Sequence, residues 1–156
     1  MNHARFLNIC CAIVLQLTAT FAFAVEFVDA QASKPLKIDP ALFNTEQAKK
    51  FQSTGQNPYS GNQEAIASGK KLFQLYSCTQ CHGGNAQGQT AVGLTGPNYV
   101  HPRSANDKGM FEIIWNGTNG GMGGKGKGVM DPGNPQNGMS PDDVLKTIAW
   151  IRSAGK

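Results

Sequence analysis

Cys78-Thr79-Gln80-Cys81-His82 sets the terms for the rest of this 156-residue chain. Two thiols one helical turn apart can add across the two vinyl groups of a porphyrin. The side chain that follows then sits beneath the ring, where its imidazole can ligate iron. The motif therefore reads as the attachment site of one covalent haem c, bonded through Cys78 and Cys81, with His82 on the metal. A redox dithiol of the thioredoxin type needs a strand-helix-strand setting, and a zinc site needs two further ligands at suitable spacing. The sequence offers neither, and beyond the leader its only other histidine is His101, which would serve a bis-histidine alternative.

Helices flank the motif on both sides. Upstream, Asn62 can cap a helix whose Ile66, Gly69, Leu72, Phe73 and Tyr76 recur at spacings of three and four, and which delivers Cys78 at its end. Downstream, a helix is expected from about Asn106 to Trp115, with Met110, Phe111 and Ile114 on one face and Gly117 ending it. The last helix is the best signalled. Ser140 caps it, Pro141 takes the first position, Asp142 and Asp143 favour its positive end, and Val144, Leu145, Ile148 and Ile151 form an apolar stripe. Strand signals are absent. The expected fold is all-α, about three main helices wrapped round one haem over residues 59–156. Such a small core is marginal alone, so the haem should supply much of the apolar surface it buries.

The remainder bounds the class of protein. With 19 Gly and 8 Pro the chain must hold much backbone outside regular structure. Residues 25–58 contain Pro35, Pro40, Pro58 and one short helical candidate, Thr45 to Gln52, and read as an irregular arm ordered only by packing on the domain. Residues 1–24 read as a secretory signal: Arg5 starts it, Phe6 to Phe23 are largely apolar, and Ala22-Phe23-Ala24 offers the preferred cleavage site, with Ala30-Gln31-Ala32 second. An uncleaved membrane anchor is the alternative; stable membrane insertion is not expected, because Gln16, Thr18 and Thr20 dilute the apolar run. Cys10 and Cys11 would leave with the signal, so a disulfide framework is excluded. Removing Arg5 from 14 basic residues against 10 acidic leaves a chain near +3, and no Lys/Arg run exceeds two residues, which argues against nucleic acid as a partner.

A methionine on the sixth iron position would make a closed carrier, and an empty one would invite dioxygen or peroxide. Met110 reads as core and Met139 as a staple against Val144, which leaves Met122 and Met130 in the stretch between the helices. The glycine-rich run Gly117 to Gly128 reads as flexible haem cover. Residues 121–127 imitate a phosphate loop, but Gly128 stands where Ser or Thr is required and no strand precedes it.

Pro102, Asp107-Lys108-Gly109-Met110-Phe111, Ile114, Gly117-Thr118-Asn119-Gly120-Gly121-Met122 and Thr147-Ile148-Ala149-Trp150-Ile151-Arg152 add a wider pattern. From Asn62 to the C-terminus the chain resembles class I cytochromes c, and more narrowly the cytochrome cL family, periplasmic acceptors of electrons from quinoprotein methanol dehydrogenase. The resemblance implies that the iron-binding methionine closes the glycine-rich run, at Met122. Met130-Asp131-Pro132 imitates the usual Met-Gly-Pro context inside an extra stretch, Gly124 to Asn137, and stays as the alternative. Val92 and Pro97 are the candidate carbonyls for orienting the His82 ring. Gly69, Phe73 and Trp150 match the positions where the terminal helices of class I cytochromes cross, and Trp115 reads as core rather than as a haem contact.

The resemblance further implies a periplasmic electron carrier and not an enzyme. It would accept single electrons from a pyrroloquinoline quinone methanol or other alcohol dehydrogenase, and pass them to a further cytochrome or oxidase. A general soluble carrier for another dehydrogenase, and a haem enzyme or sensor with an open sixth position, are the other readings.

Overall fold

The computed structural model describes residues 24–155. Apart from Ala24, the leader read at residues 1–24, with Cys10, Cys11 and the membrane-anchor alternative, lies outside the described residues. Among those residues the chain forms α1 (Glu46–Thr54), α2 (Gln63–Leu75), α3 (Thr79–His82), α4 (Asp107–Asn116) and α5 (Pro141–Ala154), with 3-10 turns at Pro40–Leu42 and Pro102–Ala105. The pairing outside helices is limited to isolated bridges, so the fold is all-α as the sequence predicts. No described helix is long and apolar enough to cross a membrane.

The helices begin where their capping residues stand. Asn62 accepts from the Ala65 N–H at 2.9 Å and Asn106 from the Gly109 N–H at 2.7 Å. Ser140 and Asp143 cap reciprocally: the Ser140 hydroxyl accepts from the Asp143 N–H, and the Asp143 carboxylate from the Ser140 N–H. Each cap satisfies an orphan donor of the first turn and stabilises its helix by about 1 kcal/mol. Helices α2 and α5 then cross at Gly69, where any Cβ would overlap the Lys146 carbonyl oxygen. Beside that contact Phe73 and Trp150 meet with ring centroids 4.5 Å apart. The crossing expected from Gly69, Phe73 and Trp150 is thus present, and glycine is required there by close approach.

Helix α2 does not run to Cys78. It stops at Leu75, and Ser77 takes a left-handed conformation at φ 58°. The Cys78 N–H then donates to the Phe73 carbonyl and the Ser77 N–H to the Gln74 carbonyl, both at 3.0 Å. These two bonds satisfy the last carbonyls of α2 in the manner of a Schellman turn, which no glycine announced. The attachment motif consequently sits on its own short helical turn, α3.

The N-terminal arm packs on the domain. Phe27, Phe43 and Phe51 are buried with Phe111 and Trp115, and Phe111 lies 5.2 Å from Phe27, 4.9 Å from Phe51 and 5.5 Å from Trp115. Each such aromatic pair adds about 1 kcal/mol beyond its buried area. Trp115 is therefore core, as expected. A buried carboxylate fixes the arm's direction: Glu112, 1% exposed, accepts from the Val28 N–H at 2.7 Å and pairs with Lys108 and Arg103.

Candidate haem site

Helical turn α3 brings the motif residues together with different exposures. Cys78 is half-buried, Cys81 is exposed, and His82 is buried. Behind His82 the chain reverses through residues 83–94. The Gly88 N–H donates to the His82 carbonyl, the Ala91 N–H to the Cys81 carbonyl and the Leu94 N–H to the Ala86 carbonyl, at 2.8, 2.9 and 2.8 Å. This loop sets the Val92 carbonyl 2.8 Å from His82 Nδ1. A carbonyl can only accept, so Nδ1 carries the proton and Nε2 keeps its lone pair for a metal. Of the two carbonyls the sequence offered, Val92 holds the ring; Pro97 is exposed.

His82 opens onto a narrow cleft of about 30 Å³ lined by Phe73, Cys78, Leu94, Met110, Met122 and Ile151, among others. Apolar side chains from α2, α4 and α5 make most of the wall. The polar exceptions beyond the motif are Ser104 and Thr147, and the Thr147 hydroxyl is spent on the Asp143 carbonyl at 2.9 Å. Met110 was expected in the core and is 2% exposed, yet it also faces this cleft. Ser104 and Ile113 had no signal that sequence reasoning could use, and Thr147 stood in the quoted pattern without a role, because only their meeting in space gives them a place here.

The glycine-rich run is not a flexible cover. The Lys125 N–H donates to the Ile114 carbonyl at 2.8 Å and the Gly126 N–H to the Trp115 carbonyl at 3.0 Å, so the run satisfies the open C-terminal carbonyls of α4. Lys127 and Met139 add a further pair, with the Lys127 N–H on the Met139 carbonyl and the Met139 N–H on the Lys125 carbonyl. A Cβ on Gly126 would overlap the Trp115 ring, and one on Gly124 would come within 2.7 Å of the Trp115 carbonyl oxygen. Glycine is needed here for contact, not for freedom. With the Lys125, Gly126 and Lys127 N–H groups spent, no cradle for a phosphate is left, which removes the phosphate-loop imitation.

Within that braced segment Gly117 and Gly123 bridge, and the Thr118 N–H donates to the Met122 carbonyl at 2.9 Å. The Met122 side chain lines the cleft that His82 lines. Met130 is 37% exposed and His101 is exposed, and neither lines the cleft.

The donor set fits haem c: two free thiols, an imidazole with its outer nitrogen engaged, a thioether and apolar walls. It does not fit a catalytic dithiol, which needs a lowered thiol pKa. Burial pushes the Cys78 thiol up, and nearby Lys125 only partly opposes this. Among the described residues no group of three His, Cys, Asp or Glu side chains could hold a metal ion by itself.

Comparison with known proteins agrees with this chemistry. The cytochrome c family model matches residues 66–155. Cytochrome c-L of Methylorubrum extorquens is 37% identical over 109 residues, 70% of this chain and 50% of that protein. The chain thus spans about half the length of the curated relative it matches. Among solved structures, cytochrome cL from Hyphomicrobium denitrificans superposes with a TM-score of 0.68 at 29% identity, covering 83% of this chain and 73% of that one. Cytochrome cL from the marine methylotroph Methylophaga aminisulfidivorans gives a TM-score of 0.69 at 32% identity, covering 83% and 80%.

Proposed function

The chain belongs to the cytochrome c family, with the class I fold and a covalent haem c as its cofactor, and from that premise we propose that it is a one-electron carrier of the cytochrome cL type. Residues 59–156 are its cytochrome domain, 25–58 an arm and 1–24 a signal for export to the periplasm. Cys78 and Cys81 would carry the thioether bonds, His82 would ligate iron through Nε2, and Met122 would supply the second protein ligand. When bound, the haem provides a single iron that cycles between ferrous and ferric states.

One observation carries this reading. A carbonyl-locked imidazole and a thioether on a braced loop line the same apolar cleft. Two fixed ligands leave no iron position for a substrate and limit rearrangement when the charge changes, which suits transfer of an electron rather than chemistry on a bound molecule. Exposure of Cys81 supports a haem edge near solvent, where an electron can enter or leave.

The donor in this reading is a pyrroloquinoline quinone methanol or other alcohol dehydrogenase, which must release two electrons singly. The acceptor is a further cytochrome or an oxidase. The chain is near +3 only before the haem propionates are counted, so steering by net charge should be weak and the bimolecular rate should change little with salt. Stopped-flow reduction of the holoprotein by quinoprotein dehydrogenases at several ionic strengths tests the partner. Reduction by none of them would leave a carrier serving another dehydrogenase. The ligand is tested separately: Met122→Ala should lose the methionine charge-transfer band and bind carbon monoxide rapidly when reduced, whereas Met130→Ala should do neither.

A further inference from the structure

The arm touches the loop that carries Met122, and this contact involves residues outside the span matched by the family model. Gln31 lies at the tip of a short reversal closed by the Val28–Pro35 bridge, the Asp29 N–H on the Lys34 carbonyl and the Leu36 N–H on the Phe27 carbonyl. From there its side-chain amide donates to the Asn116 carbonyl at 2.6 Å. Asn119 answers: its amide donates to the Gln31 carbonyl at 3.0 Å. Asn116 is the last residue of α4, and Asn119 belongs to the Gly117–Gly123 turn that presents Met122. The two bonds therefore bracket the root and the crown of that turn.

The reversal is a firm base for such a bracket. Phe27 is buried against Phe43, Phe51 and Phe111, and the neighbouring Val28 N–H is held by the buried Glu112 carboxylate. Gln31 thus projects from anchored backbone onto a turn whose inner side is already braced by α4. Gln31 and Asn119 are exposed and take no part in the core. Their bonds couple the arm to the position of one side chain, that of Met122.

We propose that the arm is a positioning device for the axial methionine, with Gln31 and Asn119 as its contact residues. The inference rests on the reading of Met122 as the iron ligand. Releasing the bracket lets the turn lift more often, and each lifted state exposes iron to an outside ligand. A net hydrogen bond of about 0.5–1.5 kcal/mol corresponds to an about two- to tenfold larger lifted population.

Imidazole binding to the ferric holoprotein reads that population directly. Gln31→Ala and Asn119→Ala should each bind imidazole about two- to tenfold more tightly than the wild type, with an unchanged ferrous Soret spectrum. In a Met122→Ala background, where no methionine competes, Gln31→Ala should leave imidazole affinity unchanged. That second arm separates positioning from general loosening of the fold, which would alter both backgrounds. If Met122→Ala fails to raise imidazole affinity, Met122 is not the ligand, and the inference falls with that assignment. If Met122→Ala raises it while Gln31→Ala and Asn119→Ala match the wild type, the ligand stands and the positioning role is overturned.

Discussion

Gly69 and Glu112 show how much of this molecule rests on single side chains, one absent and one buried. A methyl group at Gly69 must displace the Lys146 backbone, so Gly69→Ala should destabilise the holoprotein by about 1–3 kcal/mol, read as a lowered melting temperature. Glu112→Ala would strand the Val28 N–H and the charges of Lys108 and Arg103, at a cost of about 2 kcal/mol; Glu112→Gln, which still offers an acceptor, should cost less. Denaturant titration of the three variants checks the order. Only part of this was legible beforehand. Cys78, Cys81 and His82 are readable because their chemistry is local in the chain, and Gly69 because a helical pattern surrounds it. Glu112 was not, since its partners at Val28 and Arg103 lie elsewhere in the sequence. Nor was Ser77, whose left-handed turn is forced by the carbonyls at the end of α2 rather than by its own preference.

Helix starts were written in their caps, and Asn62, Asn106 and Ser140 all stand where their helices begin. The joins between elements were not. Asp142 at the first turn of α5 accepts from the Tyr59 hydroxyl at 2.7 Å and the Thr45 hydroxyl at 2.8 Å, and pairs with Lys146 at 2.7 Å. It thereby ties the start of α1 and the segment before α2 to α5. Burial pushes its carboxyl up, but the bonds from Lys146, Tyr59 and Thr45 together outweigh burial and hold it below the ordinary 3.8. A depressed folded value means that the unfolded chain takes up the proton first. The stabilisation is complete above about pH 4 and is lost as pH falls through the folded-state value. Asp142→Asn should therefore melt below the wild type at neutral pH, and the two curves should converge in acid. Convergence isolates this group from Asp29, Glu46 and Asp131, whose carboxyls are also lowered and which both proteins share. The run from Gly117 to Gly128 carries the opposite lesson. Read as composition it suggests freedom, and only the nearness of Trp115 and the α4 carbonyls turns Gly124 and Gly126 into contacts.

At the scale of the whole molecule one continuous apolar core serves both the arm and the cleft. The aromatic cluster of arm and α4 is packed within protein, and Phe73, Met110 and Ile151 of the same core, with Met122 packed against it, also line the cleft. A haem seated there would add the apolar contacts that so small a core lacks. A Cys78→Ala, Cys81→Ala variant should accordingly lose the cooperative melt of the holoprotein, with calorimetry showing a weak or absent transition. The crossing of α2 and α5 adds an order in time. Helix α5, made after α2 and the attachment motif, completes the shelter, because it supplies Trp150 to Phe73, and Thr147 and Ile151 to the cleft wall. A polypeptide ending before Pro141 lacks the α5 wall against which a flat apolar ring would rest, so bond formation at the thiols can precede the final docking, but burial of what they hold must wait for α5.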